Sequence, residues 1–245
     1  MTLLRPANRS AAEFFARVPA IEWDDIRDVH RGNAALLGEI AGNRGLLREL
    51  VIGARKDPLL WRKSESGVVE DKIVLWDEPE RGFRLRLRMA TEYQQEMPHQ
   101  HRFTFTNLVL RKHYTHRAYS VRGVFGEGTR VEDVSTECVH DDVAGHCFTI
   151  HHEAIHSTPL PEPGTINLVL RGPAVKDRAP VLFVEGRGDA TANRNREEEP
   201  EFAERGHVFW RVGEKDESPE RRAERQMTDA TYRAWLNRFE EYGLI

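Results

Sequence analysis

Cysteine is scarce in this chain: Cys138 and Cys147 are the only two, with no CxxC pair between them. A disulfide framework of the kind that staples small secreted domains is therefore excluded. A reducing, cytoplasmic setting is expected, and no basic-plus-apolar leader follows Met1. Long hydrophobic runs are also missing. No segment approaches the ~20 apolar residues that a membrane helix needs, so no membrane partner is expected. Net positive charge is lacking as well: the balance is −4 and the pI near 6.3. A nucleic-acid partner, which would call for a basic field, is not indicated. Lysine stands at only six positions, so the basic charge is almost all arginine, a residue suited to bidentate capture of carboxylates. Finally, there is no Gly-rich phosphate loop, nicotinamide or flavin fingerprint, or Ser-His-Asp arrangement.

What is present is a chain of 245 residues, 39% hydrophobic and 31% charged, long enough for one sizeable core. Residues 1–58 read as a helical segment packing on something larger. Ser10 can cap a helix opening Ala11-Ala12-Glu13, with Glu13 at the capping-box position. Leu36, Leu37, Ile40, Leu46, Leu47, Leu50 and Val51 fall at helical spacing, interrupted at Gly42-Asn43. From 59 to 188 the pattern changes to short alternating runs with Gly, Asp and Pro between them. These predict strands at 73–76, 83–89, 103–110, 114–121, 129–138, 147–155, 165–170 and 181–184. Within one of them Phe83, Leu85, Leu87 and Met89 share one face while Arg84, Arg86 and Arg88 share the other. An all-β core, a sandwich or barrel, is the expected architecture. Residues 189–245 read as a mobile loop, centred on 186–205, and a C-terminal helix starting at Ser218-Pro219 and reaching Tyr242. Its Met227, Tyr232, Trp235, Leu236 and Phe239 are placed to dock on the barrel.

The chemistry concentrates in Pro98-His99-Gln100-His101-Arg102-Phe103. Two histidines at i and i+2 on a strand point to one face, and their imidazoles can converge on one ion. A third donor must come from elsewhere; His113, His116, His140, His146, His151, His152 and His156 are the candidates. His156 closes the run 147–156 just before Pro159, Pro161 and Pro163-Gly164. His152, an even number of residues earlier, would share its face on a straight strand. Cys138 and Cys147 lack the electropositive surroundings of a reactive thiolate, and His30 and His207 read as bystanders.

This pattern resembles the cupins, and within them the three-histidine, cysteine-dioxygenase-like branch. That branch has a His-x-His on one strand and a third His roughly fifty residues on; here His101 and His156 are 55 apart. The phrases Tyr114-Thr115-His116 and Leu168-Val169-Leu170-Arg171-Gly172-Pro173 also look like those of certain bacterial cupins. The resemblance spans about residues 73–184 and implies a double-stranded β-helix (jelly-roll) barrel between helical additions. It implies His99, His101 and His156 as metal ligands, with His152 and His140 still open as the third. Many metal cupins carry a Glu shortly after the His-x-His; here Phe103, Thr104, Phe105 and Thr106 stand there. Three imidazoles suit several divalent transition metals, and the resemblance favours Fe(II). It further implies a substrate carboxylate held by an arginine of an early strand, Arg86 or Arg88. Tyr93 is a further candidate for substrate binding, and Tyr114 and His116 for catalysis. The expected activity is that of a non-haem iron oxygenase on a small polar molecule, such as an amino acid or thiol, with dioxygen as co-substrate. The alternatives are a non-redox metal cupin (isomerase, lyase or hydrolase) and a non-catalytic small-ligand binder. A homodimer is compatible with the sequence.

Overall fold

The computed structural model describes residues 10–67, 70–91, 97–159, 161–182, 208–212 and 218–245. Helices come first. Ser10 and Glu13 form the expected capping box on α1 (Ala11–Phe15). Asn43 ends α2 (Ile26–Gly42), and its side chain also accepts from Leu46 N at 3.0 Å to start α3 (Arg44–Lys56). One residue thus makes the break anticipated at Gly42-Asn43. Asp57 caps α4 (Pro58–Arg62), with Pro58 in the first turn, where a missing N–H costs nothing.

Eleven strands follow among the described residues: β1 (Glu65–Ser66), β2 (Glu70–Glu78), β3 (Phe83–Ala90), β4 (Phe105–Arg111), β5 (His113–Val121), β6 (Val134–Val143), β7 (Cys147–Ile150), β8 (Ile155–Ser157), β9 (Ile166–Arg171), β10 (Arg178–Leu182) and β11 (Val208–Val212). They form two antiparallel walls. The first runs β1-β2-β3-β9-β4-β7. The second joins β6-β5-β8 to β10-β11 through His99, which bridges both His156 and Val181. The whole is a jelly-roll barrel flanked by helices.

Strand parity sorts the first wall into two faces. Ile73, Leu87, Leu168, Leu108 and Cys147 are successive cross-strand partners. This row faces outward into the main core, where Leu37, Leu47 and Leu50 of the helices meet it. The neighbouring row Val74, Arg86, Val169, Asn107 and Phe148 faces the barrel interior. The Arg84, Arg86, Arg88 face, anticipated as polar or ligand-facing, is an interior face. Helix α2 is fixed on the outside of β4 and β7 by polar contacts: Asn33 donates to Thr106 Oγ1 at 3.0 Å, and His30 Nδ1 lies 3.0 Å from Thr149 Oγ1. His30 therefore has a docking role.

The interior arginines are balanced at both ends. Arg84 donates to Asp77 at 2.9 Å, and Lys63 also reaches Asp77. Arg88 bonds Glu70, which Lys72 meets at 2.6 Å. Burial pushes the Glu70 carboxyl up, but Arg88 and Lys72 outweigh it and hold it well below the usual carboxylate range. A depressed folded pKa means that this stabilisation is present above the unfolded value, about 4.3, and is lost as pH falls through the lower folded value. Glu70→Gln is accordingly expected to destabilise the fold by about 2 kcal/mol at neutral pH. Urea midpoints should show the gap between the variant and the parent closing in strong acid.

Three expectations were displaced. The strand anticipated at 129–138 is β6, five residues later, because Val131–Asp133 forms a 3-10 turn. The C-terminal helix is two: α5 (Pro219–Arg225), capped by Ser218, and α6 (Asp229–Glu241), separated where Gln226 bridges to Glu65. The third concerns the straight strand 147–156. It breaks after Ile150 into a turn, closed by Ala154 N to His151 O at 2.9 Å, before β8 opens on the other wall. The 186–205 loop and His207 lie outside the described residues. Among those described, no helix is long and apolar enough to cross a membrane.

Candidate metal centre

His99 and His156 sit opposite each other and exchange both backbone hydrogen bonds, each 3.0 Å. Such a pair directs its side chains to the same face, here the barrel interior. The His-x-His lies on an extended stretch ahead of β4, held by Gln100 N to Pro180 O at 3.1 Å and Leu182 N to Pro98 O at 2.9 Å; the strand anticipated from Phe103 begins at Phe105. His101 follows two residues on and folds its ring against Phe105, 4.7 Å between centroids.

The three imidazoles converge. His99 Nε2 is 3.1 Å from His101 Nε2, which is 2.7 Å from His156 Nε2. His99 and His156 are buried at 1% and 5% exposure, and His101 keeps partial solvent contact. Any ligand approach is therefore along the His101 side.

Protons decide whether this arrangement suits a cation. His99 Nδ1 lies 2.8 Å from the Met97 carbonyl, which can only accept, so Nδ1 carries the proton and Nε2 is a bare lone pair. The same logic runs from the other side. Asp142 is fully buried on β6, with Oδ2 3.0 Å from His116 Nδ1. Burial pushes its carboxyl up, but hydrogen bonds from His116 and His146 and the nearby His140 outweigh burial and hold it below its ordinary value. An ionised Asp142 is an acceptor, so neutral His116 carries its proton on Nδ1 and offers a lone pair at Nε2. That lone pair lies 3.0 Å from His156 Nδ1, which must then donate, leaving His156 Nε2 bare. Two lone pairs thus face His101 Nε2 at hydrogen-bond range or closer, and one N–H cannot satisfy both well. A cation shared by three neutral nitrogens resolves the conflict. The residues fit a divalent transition metal.

The remaining site candidates separate by position. His116 reaches the centre through His156. Tyr114 is buried on the interior face, its hydroxyl accepting from Asn107 Nδ2 at 3.0 Å. Arg88 is bound to Glu70. Arg86 lies between the two balanced arginines, its guanidinium 5.8 Å from the Phe103 ring centre, and Phe103 in turn is 5.9 Å from the His101 ring. Its Nε is buried with no hydrogen-bond partner among the described residues. Burial lowers the Arg86 pKa, with Arg88 and Arg84 adding to the effect against Glu70 and Glu65. Tyr93 lies outside the described residues. His152 sits on the turn after β7, Nδ1 3.2 Å from Thr104 Oγ1, and is not part of the trio. His140 belongs to the Asp142 group, Nε2 3.3 Å from Oδ1. Asp142 itself was not anticipated. The signal was there in the hairpin β5–β6, where Tyr114-x-His116 faces His140-x-Asp142 in register.

A metal ion held by these three histidines would be an addition to a fold that stands without it. A core of leucines and aromatic rings between the first wall and the helices does not depend on an ion, unlike a zinc finger. Chelation is expected to leave the far-UV dichroism unchanged while stripping metal, and collapse of the spectrum would contradict this.

No protein-family model matches the chain, and no curated protein sequence matches it. Among solved structures it is similar to KdgF from Halomonas sp. (15% identity, 44% of this chain and 86% of that one, TM-score 0.31). It is also similar to an RmlC-like cupin from Shewanella frigidimarina (17% identity, 46% and 86%, TM-score 0.32). A third is the vicilin from Solanum melongena (12% identity, 60% and 42%, TM-score 0.35). Likenesses at this level assign no activity or substrate.

Proposed function

We propose that the chain is a mononuclear non-haem metal oxygenase, iron-dependent, acting on a small polar substrate such as an amino acid or thiol. One observation carries the reading: three imidazole nitrogens converge with no carboxylate among them. Such a donor set leaves the ion its full double charge and leaves part of its coordination sphere for exogenous ligands. His99, His101 and His156 would hold the ion, which when bound supplies Lewis acidity and one-electron chemistry with dioxygen.

The chain's own groups do the rest. Met97 and the His116–Asp142 pair keep the proton off the nitrogens that face the centre. Phe103 and Phe105 border His101 and give that approach apolar walls. Arg86, within the interior and one aromatic ring from His101, is the group suited to hold a substrate carboxylate. Tyr114 orders Asn107 and the interior wall. With no nicotinamide or flavin fingerprint in the sequence, electrons come from the substrate. A cytoplasmic location accords with two unpaired cysteines.

The test is metal analysis of anaerobically purified protein, followed by an oxygen-electrode screen of amino acids and thiols. Bound iron with substrate-dependent oxygen uptake supports the reading. Bound metal with no uptake from any substrate moves the chain to non-redox metal chemistry, and absence of metal moves it to simple ligand binding.

A further inference from the structure

Beside the trio lies a second cluster of metal-ligating groups that the oxygenase reading uses only in part. Asp142 has no solvent exposure, yet its two oxygens meet three imidazoles: His116 Nδ1 at 3.0 Å, His146 Nδ1 at 2.6 Å and His140 Nε2 at 3.3 Å. Ligand atoms of His116, His140 and Asp142 lie within 4.8 Å of one another. His140 and His146 have side chains 41% and 44% exposed, so the cluster opens to solvent on the β6 edge. A buried carboxylate with imidazoles around it is the donor set of a borderline-soft divalent ion.

We propose that His116, His140 and Asp142 form a second site for a divalent transition-metal ion, and that it fills only at the expense of the first. The exclusion follows from proton counting. A neutral imidazole carries one proton. With the first site filled, His156 binds through Nε2 and donates from Nδ1 to His116 Nε2, which leaves the His116 proton on Nδ1. To bind a cation through Nδ1, His116 must carry its proton on Nε2 and donate it to His156 Nδ1. His156 then holds its own proton on Nε2, facing His101. One hydrogen bond of 3.0 Å between His116 and His156 therefore admits one ligation pattern or the other. The second site stands on its own donors, whereas the exclusion rests on the three-histidine reading.

The experiment is calorimetric titration of metal-free full-length protein with Zn(II) at neutral pH, with bound metal counted after gel filtration. The parent chain is expected to take one equivalent in total, tightly. His101→Ala, which removes the first site alone, is expected to retain one equivalent, bound at least tenfold more weakly than the parent's. His140→Ala, at an exposed position, should keep one equivalent at the parent's affinity, and should abolish binding when added to His101→Ala. Absence of binding by His101→Ala overturns the second site and makes the cluster a hydrogen-bond network only. Two equivalents bound by the parent overturn the exclusion. Loss of the tight equivalent only in His140→Ala, with His101→Ala unaffected, would instead overturn the three-histidine centre.

Discussion

Alanine at His156 is expected to remove bound metal and oxygen uptake together, whereas alanine at His152 leaves metal content at the parent level. His156 Nε2 lies 2.7 Å from His101 Nε2 in the barrel interior, and deleting one of three donors leaves an underfilled site. The loss should exceed the about 10–100-fold that removal of an outer partner costs. His152 sits on the turn between the walls and contacts Thr104, Glu153 and the His151 ring, so its removal touches contacts of that turn and none of the trio. Metal content by elemental analysis, beside an oxygen electrode trace, reads both. His101→Ala is the companion variant, because it deletes a ligand without disturbing His116. Full metal in His156→Ala with loss in His152→Ala would transfer the third position to His152.

Trp235→Ala is expected to cost about 3–5 kcal/mol, more than the loss of the Glu70 charge. Trp235 is 2% exposed, stacks at 5.9 Å on Phe239 and donates its indole N–H to Asp71 at 2.6 Å. Its removal opens a void between α6 and β2 and strips a buried carboxylate of a donor. Burial already raises the Asp71 carboxyl, against the pull of Trp235 and Gly67. Trp235→Phe separates the two contributions: it keeps most of the ring and should cost about 1–3 kcal/mol for the stranded acceptor. Denaturant melts give both values, and equal costs for Phe and Ala would show that packing contributes nothing.

The parts of this fold that were legible were those with local causes. Caps at Ser10 and Ser218 and the alternation of β3 are written into neighbouring residues, and so is the His99-x-His101 pair. What escaped depended on where the chain crosses between walls. The parity shared by His152 and His156 presumed one straight strand, but the chain leaves one wall at Ile150 and enters the other at Ile155. No local signal marks that crossing, because His151 to Ala154 carry neither glycine nor proline. Asp142 was missed for a related reason. An acid on a polar edge strand looks solvated until the hairpin register sets it beside Tyr114 and under His116.

The two walls are sheathed unequally. Among the described residues, helices cover the outer face of the first, whereas the second carries only a small cluster around Phe125, Ile155 and Leu182, and β6 is exposed along almost its whole length. Amide protons of β3 and β9 should therefore exchange with deuterium only through global unfolding, while those of β6 exchange through local fraying at far lower free energy. Asp142, which fixes the proton on His116, sits on that fraying edge. Each opening of the edge would release the His116 proton from its acceptor, so the proton order at the centre should be only as long-lived as the closed state of β6.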